Sequence, residues 1–164
     1  MTKYDPKIHH RRSIRLIGYD YSSAGLYFIT ICTHDKKCIF GRIYNGEMIY
    51  NNFGKFIAEN FIKIPEQFPS VMIYESVIMP NHVHFIIELS DEQGRADPAP
   101  TAPTIGNIIA WFKYHTTKQI NLSDKLWQRN YYEHIIRNEK SYGEIREYIT
   151  TNPLHWTKDS LFVE

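Results

Sequence analysis

Cysteine is scarce: Cys32 and Cys38 are the two thiols in 164 residues, so no disulfide framework is available to hold the fold. Long hydrophobic runs are missing as well. None approaches the roughly 20 apolar residues that a membrane-spanning helix needs. The opening Met1-Thr-Lys-Tyr-Asp-Pro-Lys7 leads into no apolar stretch of the kind a secretory signal carries. A cytosolic protein, without a membrane partner, is therefore expected. No P-loop and no glycine-rich phosphate cradle occurs, which argues against chemistry driven by nucleotide hydrolysis. No internal repeat is present. What the chain does contain is 43% hydrophobic and 23% charged residues, the mixture of a globular domain long enough to bury a core without a structural metal. Aromatics are abundant at 15%, with twelve tyrosines, nine phenylalanines and three tryptophans.

The net charge is only +1, but it is unevenly distributed. From Met1 to Arg15 five basic residues (Lys3, Lys7, Arg11, Arg12 and Arg15) face one acid, Asp5. A basic arm of about residues 1–24 on a near-neutral body suggests a local anionic partner.

Hydrophobic patterning predicts a mixed fold. Leu26 to Thr33 is β-branched and aromatic, a buried strand. Asn45-Gly46 between short strand-like runs predicts a hairpin over 43–50. Phe53, Phe56, Ile57, Phe61 and Ile64 recur at helical spacing, with Pro65 expected to stop the helix. Val71–Met79 and His82–Leu89 read as two strands joined at Pro80-Asn81. Residues 91–103, rich in Pro, Ala, Gly and acid, read as a long mobile connection. Thr104 is placed to cap a helix bearing Ile105, Ile108, Ile109 and Phe112, and Tyr131–Ile136 can form a further strand. A capping-box pattern at Ser141-Tyr-Gly-Glu144 predicts the start of a last helix, which ends before Pro153. This order lacks strict strand–helix–strand alternation. An α+β fold follows, with an antiparallel sheet and helices packed on one face.

The sharpest chemical feature is Pro80-Asn-His-Val-His84. Side chains alternate along a strand, so His82 and His84 share one face while Val83, Phe85, Ile87 and Leu89 share the other. Two imidazoles on one face either chelate a divalent metal or stand as two polar residues towards solvent. Chelation requires further oxygen or nitrogen ligands. On the last helix Tyr148 and Asn152 lie one turn apart, beside an apolar stripe of Tyr142, Ile145 and Ile149. Asn152 either offers its amide oxygen to a metal or merely ends the helix before Pro153. Tyr148 either packs or presents a hydroxyl. Cys32, His34 and Cys38 lack a fourth ligand for a zinc site and read as incidental thiols.

Four blocks carry a resemblance: Arg11-Arg-Ser-Ile-Arg-Leu-Ile-Gly-Tyr-Asp-Tyr21, Val77-Ile-Met-Pro-Asn-His-Val-His84, Leu126-Trp-Gln-Arg-Asn-Tyr-Tyr-Glu-His-Ile-Ile-Arg137 and Ile145-Arg-Glu-Tyr-Ile-Thr-Thr-Asn-Pro153. In this order, and over nearly the whole chain, the sequence closely resembles the REP-associated tyrosine transposases. These are relatives of the single-tyrosine bacterial insertion-sequence transposases in the HUH endonuclease superfamily. The resemblance implies one ferredoxin-like domain over residues 1–164. It implies His82 and His84 as metal ligands, Asn152 as the third, and Tyr148 as the nucleophile that forms a 5′-phosphotyrosine and frees a 3′-OH. The cofactor would be a divalent metal, Mg2+ or Mn2+. The substrate would be single-stranded DNA carrying a hairpin, the repeated extragenic palindrome, and the setting a nucleoid-associated one. Either a monomer or a homodimer is compatible.

Two clusters mix cations with aromatics, a composition suited to phosphates and unpaired bases. They are Arg11, Arg12 and Arg15 with Tyr19 and Tyr21, and Trp127, Gln128 and Arg129 with Tyr131 and Tyr132. Lys113 and Lys118 either extend the track or lie on a solvated helix face. Two rival functions stay open: a module that binds DNA hairpins without cutting them, and a replication- or relaxase-type nickase of the same superfamily.

Overall fold

The computed structural model of the chain describes residues 23–90 and 103–163. Four strands form the main sheet: β1 (Gly25–Cys32), β4 (Val71–Met79), β5 (His82–Leu89) and β6 (Tyr132–Ile136), in the order β4-β5-β1-β6 and antiparallel throughout. A separate hairpin joins β2 (Gly41–Tyr44) to β3 (Glu47–Tyr50). Its turn residues Asn45 (φ 49°) and Gly46 (φ 77°) both lie at positive φ, as a tight two-residue hairpin turn requires. Three helices complete the fold: α1 (Asn52–Gln67), α2 (Ile105–Ile120) and α3 (Glu139–Thr151).

The α+β class and the antiparallel sheet are as expected, but the helices divide between the two faces. Val83, Phe85, Ile87 and Leu89 project from β5 into a core shared with Ile57, Phe61 and Ile64 of α1 and with Ile108, Ile109 and Phe112 of α2. On the other face Ile149 of α3 packs with Phe28, Ile86 and Ile136, flanked by Tyr142 and Ile145. Fully burying one such aliphatic side chain is worth about 1.5–3 kcal/mol. The small second core therefore suffices to seat α3 on the histidine face of the sheet. An ion pair reinforces it, with Arg146 Nε 2.7 Å from Glu75 Oε1 on β4, while the Tyr142 hydroxyl donates to Glu75 at 3.0 Å.

Local details depart from expectation in two places. Helix α1 runs past Pro65 to Gln67: Pro65 has no N–H for the Phe61 carbonyl, but the turn continues beyond it and is closed by Phe68 N–H on the Ile64 carbonyl at 2.9 Å. Helix α3 begins two residues before Ser141. Its cap is Asn138, whose side chain accepts from Ser141 N–H at 2.8 Å. As expected, α3 ends before Pro153, at Thr151, and the chain then tightens into a 3-10 helix over Asn152–Lys158. Thr104 caps α2 as expected, in a reciprocal box with Asn107. The mobile connection expected at 91–103 lies, except for Pro103, outside the described residues.

Candidate active site

Both histidines stand on one face of β5, with β1 paired alongside. Their rings are 4.4 Å apart between centroids, and both are buried. His82 pairs across the ladder with Cys32, and His84 with Thr30. The His82 Nδ1–H donates to Asn81 Oδ1 at 2.7 Å. The orientation of that amide is set by its other end, where Nδ2 donates to the carbonyls of Lys36 (3.1 Å) and Leu161 (2.8 Å). Asn81 thereby fixes the tautomer that leaves the His82 Nε2 lone pair bare, and Nε2 is buried without a hydrogen-bond partner. Thr30 Oγ1 lies 2.7 Å from His84 Nδ1 and can orient that ring in the same way. His84 stacks on Phe28 at 5.2 Å between ring centroids.

Burial removes solvent from both imidazoles and holds them neutral. His82 is lowered to about 4, and His84, with the neighbouring His82 adding to the effect, to about 3. Neutral imidazole is the ligand form. Each folded-state value lies below the ordinary 6.5, so below about that pH the unfolded chain binds protons that the folded one refuses. Stability of the metal-free protein should therefore fall as pH drops from 6.5 towards 4. Denaturant midpoints measured at pH 7 and pH 5 test this, and the midpoint at pH 5 should be the lower.

The residue that completes the cluster is Asp159, which sequence reasoning did not identify. It follows the 3-10 helix, which turns the chain back under the histidines. Its carboxylate and the two imidazoles place ligand atoms within 4.8 Å of one another. Asp159 Oδ2 accepts from Asn152 Nδ2 at 2.7 Å and from the Tyr148 hydroxyl at 3.2 Å, and Oδ1 accepts from Leu161 N–H at 2.6 Å. Burial disfavours the charged form, yet the Leu161 N–H, then the Asn152 amide and the two neighbouring histidines, outweigh it and hold the carboxyl below its usual range. Asn152 is 2% exposed and its Oδ1 is buried with no partner. Two buried acceptors, His82 Nε2 and Asn152 Oδ1, are thus left unsatisfied beside a carboxylate. Burying such an acceptor is costly unless an electropositive group meets it. The mixed nitrogen and oxygen donor set fits a divalent cation.

Tyr148 closes the site from α3. Its hydroxyl is 3.2 Å from His84 Nε2, and its ring meets Phe28 edge-on at 6.1 Å between centroids. Burial, then the Asp159 carboxylate, pushes the Tyr148 hydroxyl up to about 12. In this state it is a protonated phenol and a weak nucleophile. Beside it lies a cavity of about 450 Å³.

The expected DNA contacts separate. Arg11, Arg12 and Arg15 lie outside the described residues. Trp127 is a core residue rather than a stacking platform: its indole is 7% exposed, packs on Phe40 and Phe112, and donates Nε1–H to Thr116 Oγ1 at 2.9 Å. Gln128 is half-buried on the cavity wall, and Arg129 is exposed. Lys113 is not on a solvated face, because its ammonium is turned inwards against the backbone of 128–130. Cys32 and Cys38 are free thiols.

A family model described as "Transposase IS200 like" matches residues 30–152. The chain belongs to the IS200-like transposase family. The match spans the histidine pair, Tyr148 and Asn152, and stops short of Asp159. Among curated proteins, an uncharacterized protein of Haemophilus influenzae is 48% identical over 99% of both chains. Another H. influenzae protein, which carries the name of a REP-associated tyrosine transposase, is 26% identical over 82% of this chain and 73% of its own. A solved REP-associated tyrosine transposase, bound to a REP hairpin, shares this fold with a TM-score of 0.59. It is 23% identical, covering 94% of this chain and 73% of that one. Among the described residues no helix is long and apolar enough to cross a membrane.

Proposed function

We propose that this IS200-like transposase is a metal-dependent endonuclease and strand transferase for single-stranded, hairpin-bearing DNA, with Tyr148 as nucleophile. The observation that carries this reading is the meeting of the Tyr148 hydroxyl with His84 Nε2 and Asp159, next to two buried acceptors without partners. His82, His84 and Asp159 would hold the cation, with Asn152 Oδ1 as a further donor. A cation held there, Mg2+ or Mn2+, would withdraw charge from a phosphate oxygen and favour ionisation of the phenol. Tyr148 Oη attacks phosphorus in line with the departing O3′. Its proton has Asp159 Oδ2 as the nearest carboxylate acceptor. The new O–P bond replaces the P–O3′ bond, and O3′ gains a proton to leave as a 3′-hydroxyl. The 5′-phosphotyrosine retains the energy of a phosphodiester, so another 3′-hydroxyl can rejoin the strand without ATP. The hairpin substrate is carried over from the REP-associated relatives. Incubating labelled hairpin oligonucleotides with Mn2+ or with chelator, then resolving protein–DNA adducts on denaturing gels, tests the reading. A metal-dependent adduct is expected, and tight binding without any adduct would favour the non-cleaving module.

The basic arm should act through phosphates. Replacing Arg11, Arg12 and Arg15 together by glutamine should weaken hairpin binding. It should also reduce the slope of log affinity against log salt by about 2 to 3 units, at roughly 0.7 to 0.9 per contact. Fluorescence anisotropy across a salt series measures it, and an unchanged slope would remove the arm from the DNA contacts.

A further inference from the structure

The cavity beside Tyr148 has no part in the chemistry derived so far. Its walls are of two kinds. Phe28, Tyr131, Tyr132 and Tyr148 are aromatic residues, and Gln128 and Asn130 are amide-bearing ones. His84 also lines it, so the space is continuous with the position a scissile phosphate would take. Its volume of about 450 Å³ lies within the range of small-molecule sites and accommodates a single nucleotide.

The amide-bearing wall is irregular backbone, yet it is held firmly. Trp127, one residue before it, is anchored in the core, and Gln128 N–H donates to the Cys32 carbonyl at 2.9 Å. Lys113 reaches across from α2, and its Nζ donates to the carbonyls of Gln128 (2.8 Å), Arg129 (3.2 Å) and Asn130 (3.1 Å). Those three bonds use all three protons of the ammonium. Burial disfavours its charge enough to bring Lys113 to about 8, a cost accepted where the three carbonyls need a partner. With their backbone tied down, Gln128 and Asn130 have side chains that, among the described residues, make no hydrogen bond.

We propose that this cavity is a subsite for one unpaired nucleotide adjoining the scissile phosphate. Gln128 and Asn130 read the edge of its base, and Lys113 is the positioning residue that holds them in place. The assignment rests on the DNA-cleaving reading given above. An aromatic-walled space receives any base by stacking, whereas an amide offers donor and acceptor side by side and so discriminates among base edges. Continuity with Tyr148 makes a nucleotide of the substrate strand the natural occupant.

The test uses the full chain and a single-stranded DNA library randomised over a stem-loop and both flanks, selected for binding in EDTA so that cleavage is not needed. The wild type should enrich a particular base at one flank position. An abasic residue there should weaken binding about 5- to 150-fold, the usual worth of one stacked base. Asn130→Ala and Lys113→Met should lose the base preference at that position and keep it elsewhere, and Lys113→Arg should restore it. Asn130 is exposed, so its variant folds independently of what Lys113→Met does to the loop. Unaltered preferences in Asn130→Ala, or no flank position sensitive to base removal, would overturn the subsite. Cleavage without a position-specific effect defeats the subsite alone. A position-specific effect without any Mn2+-dependent adduct supports the subsite and defeats the nuclease reading alone.

Discussion

Tyr148→Phe is expected to abolish the covalent protein–DNA adduct and strand cleavage while leaving hairpin affinity within about twofold of the wild type. The substitution deletes one hydroxyl and keeps the ring, so the edge contact with Phe28 and the cavity wall persist. Removing a nucleophile typically costs on the order of 10³- to 10⁶-fold in rate, which here would carry cleavage below detection. The lost hydroxyl also frees His84 Nε2 and Asp159 from a hydrogen-bonded neighbour, so the variant should bind Mn2+ at least as well as the wild type. Denaturing gels read the adduct and anisotropy reads affinity. A persistent adduct would move the nucleophile elsewhere, with Tyr142 the first alternative on the same helix.

Loss of the proposed cation ligands should be nearly as severe. His84→Ala removes a buried nitrogen donor and opens the stack on Phe28, and His82→Ala removes the donor whose Nε2 has no other partner. Each should reduce metal-dependent cleavage by well over the roughly 10- to 100-fold that follows loss of an outer-sphere partner. Asp159→Asn should fall in the same range, because it discards the negative charge that offsets a divalent cation. Asn152→Ala should be milder, since water can replace a neutral amide oxygen. Asp159→Asn being no worse than Asn152→Ala would show that the carboxylate does not hold the cation. The histidine variants should remain folded, because Val83, Phe85 and Ile87 on the opposite face of β5 supply its core contacts. Rate against Mn2+ concentration, with thermal unfolding as a control, separates these cases.

Much of this site was legible because strand and helix periods are strict. Alternation along β5 puts His82 and His84 opposite Val83 and Phe85 even though every residue from His82 to Ile87 is buried, which hides the polar–apolar contrast that usually marks a face. The Ile145 and Ile149 stripe likewise places Tyr148 beside the histidines. The sharing of helices between the two faces was less legible, since it depends on which side of the sheet each stripe reaches rather than on the stripe itself. Asp159 was out of reach for a different reason. It stands seven residues past Asn152 in a short stretch without helical or strand periodicity, and the 3-10 helix over Asn152–Lys158, with Asn81 holding the Leu161 carbonyl, returns it to the histidines. Composition cannot separate a tryptophan that stacks on bases from one that packs on Phe40 and Phe112, and Trp127 is the second kind. Ser141 and Asn138 are both good caps three residues apart, and the backbone uses the earlier one.

The central claim is that the Tyr148 oxygen becomes covalently bound to DNA. Mass spectrometry of the adduct, after nuclease trimming and proteolysis, tests it most directly. The account predicts a nucleotide phosphate linked to Tyr148 when Mn2+ is present, and none in chelator. A nucleotide on any other residue, or an adduct that forms equally well in EDTA, would contradict it.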